Sequence, residues 1–217
     1  MTIYSVLLAV HITAGTVGLI AALLSVMNKA FNANHRWHVF TGSAFVIAMA
    51  IIFVSATAMS LIKLNVFLLL VGMFSFYLAF SGWRYARNHK GTPTQLDWTT
   101  AITMLVASAI MVFFAMYLFL VGSGRGVIIA VFGLIGGLLA FFDYRSLRRG
   151  GLKGKERIIR HLIMMLGGTI AALTAFTVVN INMQPAFIPW LAPTVLITPL
   201  ITVWSRKIRA GVTTKGM

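Results

Sequence analysis

Seven long apolar runs constrain this chain more than any other feature of its sequence. Each run approaches the roughly 20 residues that a helix needs to cross the hydrocarbon core of a bilayer. Charged residues make up only 10% of the chain, whereas a soluble domain carries about a quarter. We therefore predict an all-α, polytopic transmembrane bundle that forms a single domain over 1–217. The predicted helices are 3–27, 39–62, 64–83, 99–121, 126–143, 161–181 and 187–204.

The basic residues indicate the orientation of the helices. If the N-terminus lies outside, Lys63 and Arg125 are the only outer residues among the 18 lysines and arginines. Short cytoplasmic loops of membrane proteins are enriched in these two residue types. We therefore predict an outer N-terminus and a cytoplasmic C-terminus. The predicted inner residues are Lys29, Arg36, Arg84, Arg87, Lys90, Arg145, Arg148, Arg149, Lys153, Lys155, Arg157, Arg160, Arg206, Lys207, Arg209 and Lys215.

The net charge of +15 does not indicate a nucleic-acid-binding protein. Such a protein concentrates basic residues on one face of a polar domain, whereas here they form short clusters between apolar runs. We expect these clusters to bind anionic lipid headgroups. The chain contains no cysteine, which excludes disulfides, iron–sulfur clusters and thiolate zinc sites.

His11 lies within the first apolar run, about a third of the way across from the predicted outer side. An ionisable side chain at that depth is costly and usually faces the interior of the bundle. One interpretation is a ligand to a cofactor. The other is a structural histidine that is hydrogen-bonded across the bundle, for which the candidate partners are Ser55, Thr174 and Thr177.

Two helices share the spacing His-x-x-x-Gly, at His11 with Gly15 and at His38 with Gly42. Four residues place the glycine one turn along the same helix face. A flat macrocycle held by an imidazole needs such a bare surface, so the pattern is typical of haem ligation in membrane bundles. We predict His11, His38 and His161 as cofactor-binding residues, with haem b as one candidate cofactor.

A second constellation combines His38, Asp143 and His161. The two histidines begin predicted helices at the inner surface and Asp143 ends one there, so all three share a level. Two imidazoles and a carboxylate can bind a divalent metal such as zinc. A plain polar network is the alternative. We expect His11 to lie at a separate level, on the order of 20 Å from His38 by the helical rise.

Asp143 needs a partner of its own, because an acidic group is disfavoured at the C-terminal end of a helix. We predict Arg145 or a histidine in that role. Small residues indicate a packing face on the first helix, since they let two backbones approach closely. That face carries His11, Gly15, Gly18 and Ala22, and we expect it to lie against other helices rather than against lipid.

Several segments are similar to a family of predicted bacterial membrane proteins that is labelled only as a domain of unknown function. The similarity covers nearly the whole chain and implies a multi-pass protein of the bacterial inner membrane. It also implies a role for His11, His38, Asp143 and His161, which match the family's motifs. Val39 departs from the family, whose members often carry arginine there. The segments are His11-Ile-Thr-Ala-Gly15, Trp37-His38 with Gly42, Ser81-Gly-Trp-Arg-Tyr-Ala-Arg87, Asp97-Trp98, Phe142-Asp143-Tyr-Arg145 and Arg160-His161-Leu-Ile-Met-Met.

Three functional hypotheses follow from these residues. The first is a haem- or metal-binding redox protein that passes electrons between a quinone and a partner. The second is a zinc-dependent membrane hydrolase that acts on lipids, by analogy of architecture. The third is a transporter, or a structural subunit of a larger complex or homo-oligomer.

Overall fold

The computed structural model describes residues 2–31, 34–185 and 187–211, and within these ranges the chain forms seven α-helices and no strand. All seven are long and apolar enough to cross a membrane. The all-α class and the helix count are therefore confirmed for the described residues, while the orientation stays a prediction and Lys215 lies outside them. The helices are α1 (Ile3–Ala30), α2 (His35–Ile62), α3 (Val66–Arg87), α4 (Gln95–Leu120), α5 (Arg125–Arg148), α6 (Gly154–Asn180) and α7 (Ile188–Arg209).

Several helices extend beyond the apolar runs that predicted them. Helix α5 continues past residue 143 to Arg148, and α6 begins at Gly154 rather than at residue 161. An apolar run marks only the part of a helix inside the hydrocarbon, and long basic side chains let the helix continue into the headgroup region. Asp143 therefore lies within α5 rather than at its end, and Arg160 belongs to α6 rather than to a loop.

Helix α3 occupies the centre of the bundle, where it packs against α2, α4, α5 and α6. Helix α6 also contacts α1 and α7, and the pairs α1–α2 and α4–α5 pack closely. Hydrogen bonds join the end of α1 to the start of α2, and the end of α3 to the start of α4. We call this side of the bundle the basic end. It comprises the C-terminal ends of α1, α3, α5 and α7 and the N-terminal ends of α2, α4 and α6.

Aromatic and small side chains fill the core around α3, α4 and α5. The rings of Phe74 and Phe132 are stacked, with their centroids 5.2 Å apart. Gly133 lets α5 approach α4 so closely that a Cβ there would lie 2.9 Å from Cβ of Met111. A second cluster joins α1, α2 and α3 through Ala22, Phe45 and other residues. The bundle therefore depends on close helix packing, as expected where no hydrophobic force drives helices together.

The predicted small face of α1 is confirmed in the C-terminal half of the helix. Gly18 and Ala22 are buried, and a Cβ at Gly18 would lie 3.2 Å from Cβ of Ala48 on α2. Gly15 differs, because a Cβ there would meet nothing within 4 Å. The backbones of α1 and α2 therefore approach closely at Gly18, whereas the surface at Gly15 stays open.

This difference yields a matched pair of variants. We expect Gly18→Leu to lower the free energy of unfolding by about 1–3 kcal/mol, because overpacking forces two backbones apart. Gly15→Leu adds the same side chain to the same helix one turn away and should change stability little. Thermal unfolding of both proteins in one detergent measures the difference. Equal destabilisation by the two substitutions would contradict a close contact confined to Gly18.

Candidate functional site

The candidate site lies near the basic end, where His38 on α2 faces His161 on α6. The two imidazole centroids are 6.4 Å apart and the ring planes are perpendicular. His38 lies one turn into α2 and His161 two turns into α6. Both side chains are half-buried. The structure therefore brings together two of the three residues that the sequence predicts as metal ligands.

Each histidine is held by its Nδ1 atom. Nδ1 of His161 lies 2.8 Å from the carbonyl oxygen of Gly82 on α3. Nδ1 of His38 lies 3.1 Å from Oγ of Ser25 and 3.4 Å from its carbonyl oxygen. A carbonyl only accepts, so Nδ1 of His161 carries the proton and Nε2 keeps its lone pair. Metal-ligating histidines are commonly oriented by such a bond from the other ring nitrogen.

Met165 lies one turn after His161 on the same face of α6. A Cβ at Gly82 would lie 2.8 Å from Sδ of Met165, and one at Gly42 would lie 4.0 Å from its Cε. Ser25 also covers Gly42, at 3.8 Å. The side chains of Met165 and Ser25 thus cover the surface at Gly42, where the His-x-x-x-Gly spacing predicts room for a macrocycle. A haem there would have to displace both.

Asp143 does not join the two histidines. Its Oδ2 accepts a hydrogen bond of 2.5 Å from the hydroxyl of Tyr77, and its Oδ1 accepts one of 2.8 Å from Tyr85. Nε of Arg160 donates to Oδ1 at 2.6 Å. In the part of the chain that the structure describes, no group of three or more His, Cys, Asp or Glu residues could hold a metal ion. A three-residue metal site at His38, Asp143 and His161 is therefore not formed here, because Asp143 is fully engaged elsewhere.

Arg160 is the partner of Asp143, in place of the predicted Arg145 or histidine. The two side chains are buried, with exposures of 8% for Arg160 and 4% for Asp143. Arg160 also donates to the carbonyl of Leu139, one turn earlier on α5. We call Tyr77, Tyr85, Asp143 and Arg160 the Asp143 network. It joins α3, α5 and α6. The sequence does not single out its two tyrosines as partners of Asp143, because aromatic residues are common in membrane helices.

His11 forms a hydrogen bond across the bundle, as the interpretation of a structural histidine predicts. Its Nδ1 lies 3.1 Å from Oγ of Ser55 on α2. From His11 to Ser25, which contacts His38, α1 rises roughly 20 Å. This separation agrees with the predicted two levels. A Cβ at Gly15 would meet nothing within 4 Å, so the surface one turn after His11 is open.

Comparison with known proteins adds no further constraint. The chain matches no protein-family model, no curated protein and no solved structure. The family resemblance therefore stays a prediction, and the pair His38–His161 is the feature on which a function can be proposed.

Proposed function

We propose that this chain is an integral membrane protein that binds one transition-metal ion between His38 and His161 and uses it in electron transfer. The observation that carries the proposal is the 6.4 Å separation of two perpendicular rings. With metal–nitrogen bonds of about 2 Å, two imidazoles on opposite sides of one ion have centroids roughly 6 Å apart. Both Nδ1 atoms are held by Ser25 and Gly82, which leaves both Nε2 atoms as ligands.

The surrounding donors favour copper over the other candidates. Imidazole nitrogens suit copper, zinc and iron, whereas a thioether selects copper(I), and Met165 is the neighbouring thioether. The covered surface at Gly42 argues against haem at this position. A zinc hydrolase needs a third protein ligand, and Asp143 is bound by Tyr77, Tyr85 and Arg160 instead. A quinone in the bilayer or a protein partner would exchange the electron.

Metal binding by the purified protein tests this proposal. We expect one copper(I) ion per chain under reducing conditions, measured by competition with a chromogenic chelator. His38→Ala and His161→Asn should each abolish binding. The amide nitrogen of asparagine occupies the position of Nδ1 and retains a donor for the carbonyl of Gly82, so loss of binding there reports the lost ligand rather than the lost hydrogen bond. Met165→Leu should weaken binding of copper(I) but leave binding of zinc unchanged.

His11→Ala is the matched control, because it removes a histidine at the other level and should leave copper binding intact. Copper binding that survives either His38→Ala or His161→Asn would refute the proposal. A Soret band in the unmodified protein that disappears in the same two variants would show that the site binds haem rather than a copper ion.

We also propose the N-out orientation, which the distribution of basic residues supports. The chain has no cysteine, so single cysteines can be introduced without background. Arg149→Cys, at the basic end, should be protected from a membrane-impermeant maleimide in intact cells. Leu64→Cys, at a position that is 87% exposed in the connection between α2 and α3, should be labelled. The opposite labelling pattern would reverse the orientation.

A further inference from the structure

A cleft of about 390 Å³ opens at the basic end, between the last turn of α5, the connection after it and α6. Three arginines and no acidic residue line it. The lining residues are Phe142, Arg145, Ser146, Arg149, Gly151, Leu152 and Arg160. Its volume is large enough for a phosphate group together with the polar part of a larger molecule. It is separate from the pair His38–His161.

Two of the three arginines of this cleft, Arg145 and Arg149, have no counter-charge within the part of the chain that the structure describes. The chain has only three acidic residues. Two of them, Asp97 and Glu156, pair with arginines outside the cleft, and the third, Asp143, pairs with Arg160. The guanidinium groups of Arg145 and Arg149 make no hydrogen bond or ion pair with the residues that the structure describes. Nη1 of Arg160 likewise has no bond to them, while Nε and Nη2 are held by Asp143 and Leu139. These donors can therefore bind an anion from outside the chain.

The face of α5 that leads into the cleft is apolar. Leu138, Phe142, Arg145 and Arg149 follow one another at intervals of four, three and four residues, which places them along one face of the helix. Leu138 is 57% exposed and Phe142 is 49% exposed. An apolar strip therefore runs along the hydrocarbon part of α5 and ends at two arginines at the level of the headgroups.

We propose that this cleft binds the phosphate group of an anionic phospholipid, with one acyl chain lying along Leu138 and Phe142. Guanidinium groups bind phosphate oxygens in pairs of parallel hydrogen bonds. Arg160 is positioned for this role by Asp143, and Arg145 and Arg149 supply the remaining donors. A free phosphate ion offers the same oxygens but makes no use of the apolar strip, and the position of the strip therefore favours a lipid.

The purified full chain in detergent micelles provides the test, with native mass spectrometry as the readout of bound lipid. We expect dioleoylphosphatidylglycerol to bind and dioleoylphosphatidylcholine to bind much more weakly. The double variant Arg145→Gln/Arg149→Gln should bind phosphatidylglycerol at least about thirtyfold more weakly, as expected when a site loses two groups that donate charge-assisted hydrogen bonds to its phosphate. Both side chains are exposed, so the fold should be unaffected.

The matched control is Arg36→Gln/Arg87→Gln, which removes the same charge from exposed positions at the basic end outside the cleft. It should leave the affinity for phosphatidylglycerol within about twofold of the unmodified chain, since surface charges outside a site contribute little. Equal weakening by both double variants would overturn the proposal in favour of unspecific surface attraction. Competition by inorganic phosphate as strong as that by the lipid would overturn the lipid as the occupant.

Discussion

Replacing Asp143 with asparagine is expected to lower the free energy of unfolding by about 3–5 kcal/mol, because it leaves a buried arginine without its counter-charge. The asparagine side chain would have the same shape, and its one amide oxygen could still accept a hydrogen bond from one tyrosine, while its NH2 group would face the other tyrosine as a donor. Arg160 would keep its positive charge in a site where it is only 8% exposed. Reversible unfolding in mixed micelles, followed by circular dichroism, measures the loss.

Two further variants distinguish the contribution of the Asp143–Arg160 ion pair to stability from a general effect of removing a negative charge. Glu156→Gln removes the other carboxylate near α6, which lies 3.6 Å from Arg209 with both side chains mostly exposed, and it should change stability little. Asp143→Asn combined with Arg160→Met removes both charges and should recover part of the loss. A double variant less stable than Asp143→Asn would show that the hydrogen bond from Arg160 to Leu139, rather than neutralisation, stabilises this region.

The helix count and the level of each polar residue could be predicted from the sequence because both follow from the free energy of transfer into lipid. The number of apolar runs gives the number of helices, and the rise per residue places His38 and His161 at one level. The lengths of the helices were underestimated, because hydropathy falls at Arg145 and Arg157 although the backbone remains helical there.

The partners of each side chain could not be predicted in the same way. Apolar residues that face lipid resemble those that face another helix, so the sequence does not show that α3 lies beside both α5 and α6. Without that placement, Arg145 and Arg160 are equivalent candidates for pairing with Asp143. Tyr77 and Tyr85 carry no charge, and the segment Ser81–Arg87 that contains Tyr85 does not indicate its partner, although a spacing of about two turns places both tyrosines near one face of α3.

The second large effect is expected at Gly151, in the connection between α5 and α6. This connection packs against the one between α3 and α4 through backbone atoms. Gly151 has a φ of +88°, and a Cβ on it would overlap the carbonyl oxygen of Gly91. Gly91 has a φ of +69°, and a Cβ on it would overlap the carbonyl oxygen of Leu152. Neither position has room for a side chain.

We expect Gly151→Ala to lower the free energy of unfolding by about 2–5 kcal/mol, since it combines an unfavourable φ with a clash against backbone. Gly150→Ala is a close control. Its φ is +89°, but a Cβ there would meet nothing within 4 Å, so it should cost only about 1–2 kcal/mol. Thermal unfolding of the two variants gives the difference, and equal losses would show that backbone strain, rather than the contact with Gly91, is responsible.

Gly151→Ala and Gly150→Ala also test whether the contact between Gly151 and Gly91 determines the shape of the lipid-binding cleft. Gly151 lines the cleft beside Arg149 and Arg160, so moving the connection away from Gly91 changes the distance between those two guanidinium groups. Gly151→Ala should therefore weaken the binding of phosphatidylglycerol at a temperature where the chain is still folded. Gly150→Ala should leave it within about twofold, since its added methyl group enters open space and a change of that size is within the usual effect of surface substitutions. Unchanged lipid affinity in Gly151→Ala would separate the packing of the two connections from the shape of the cleft.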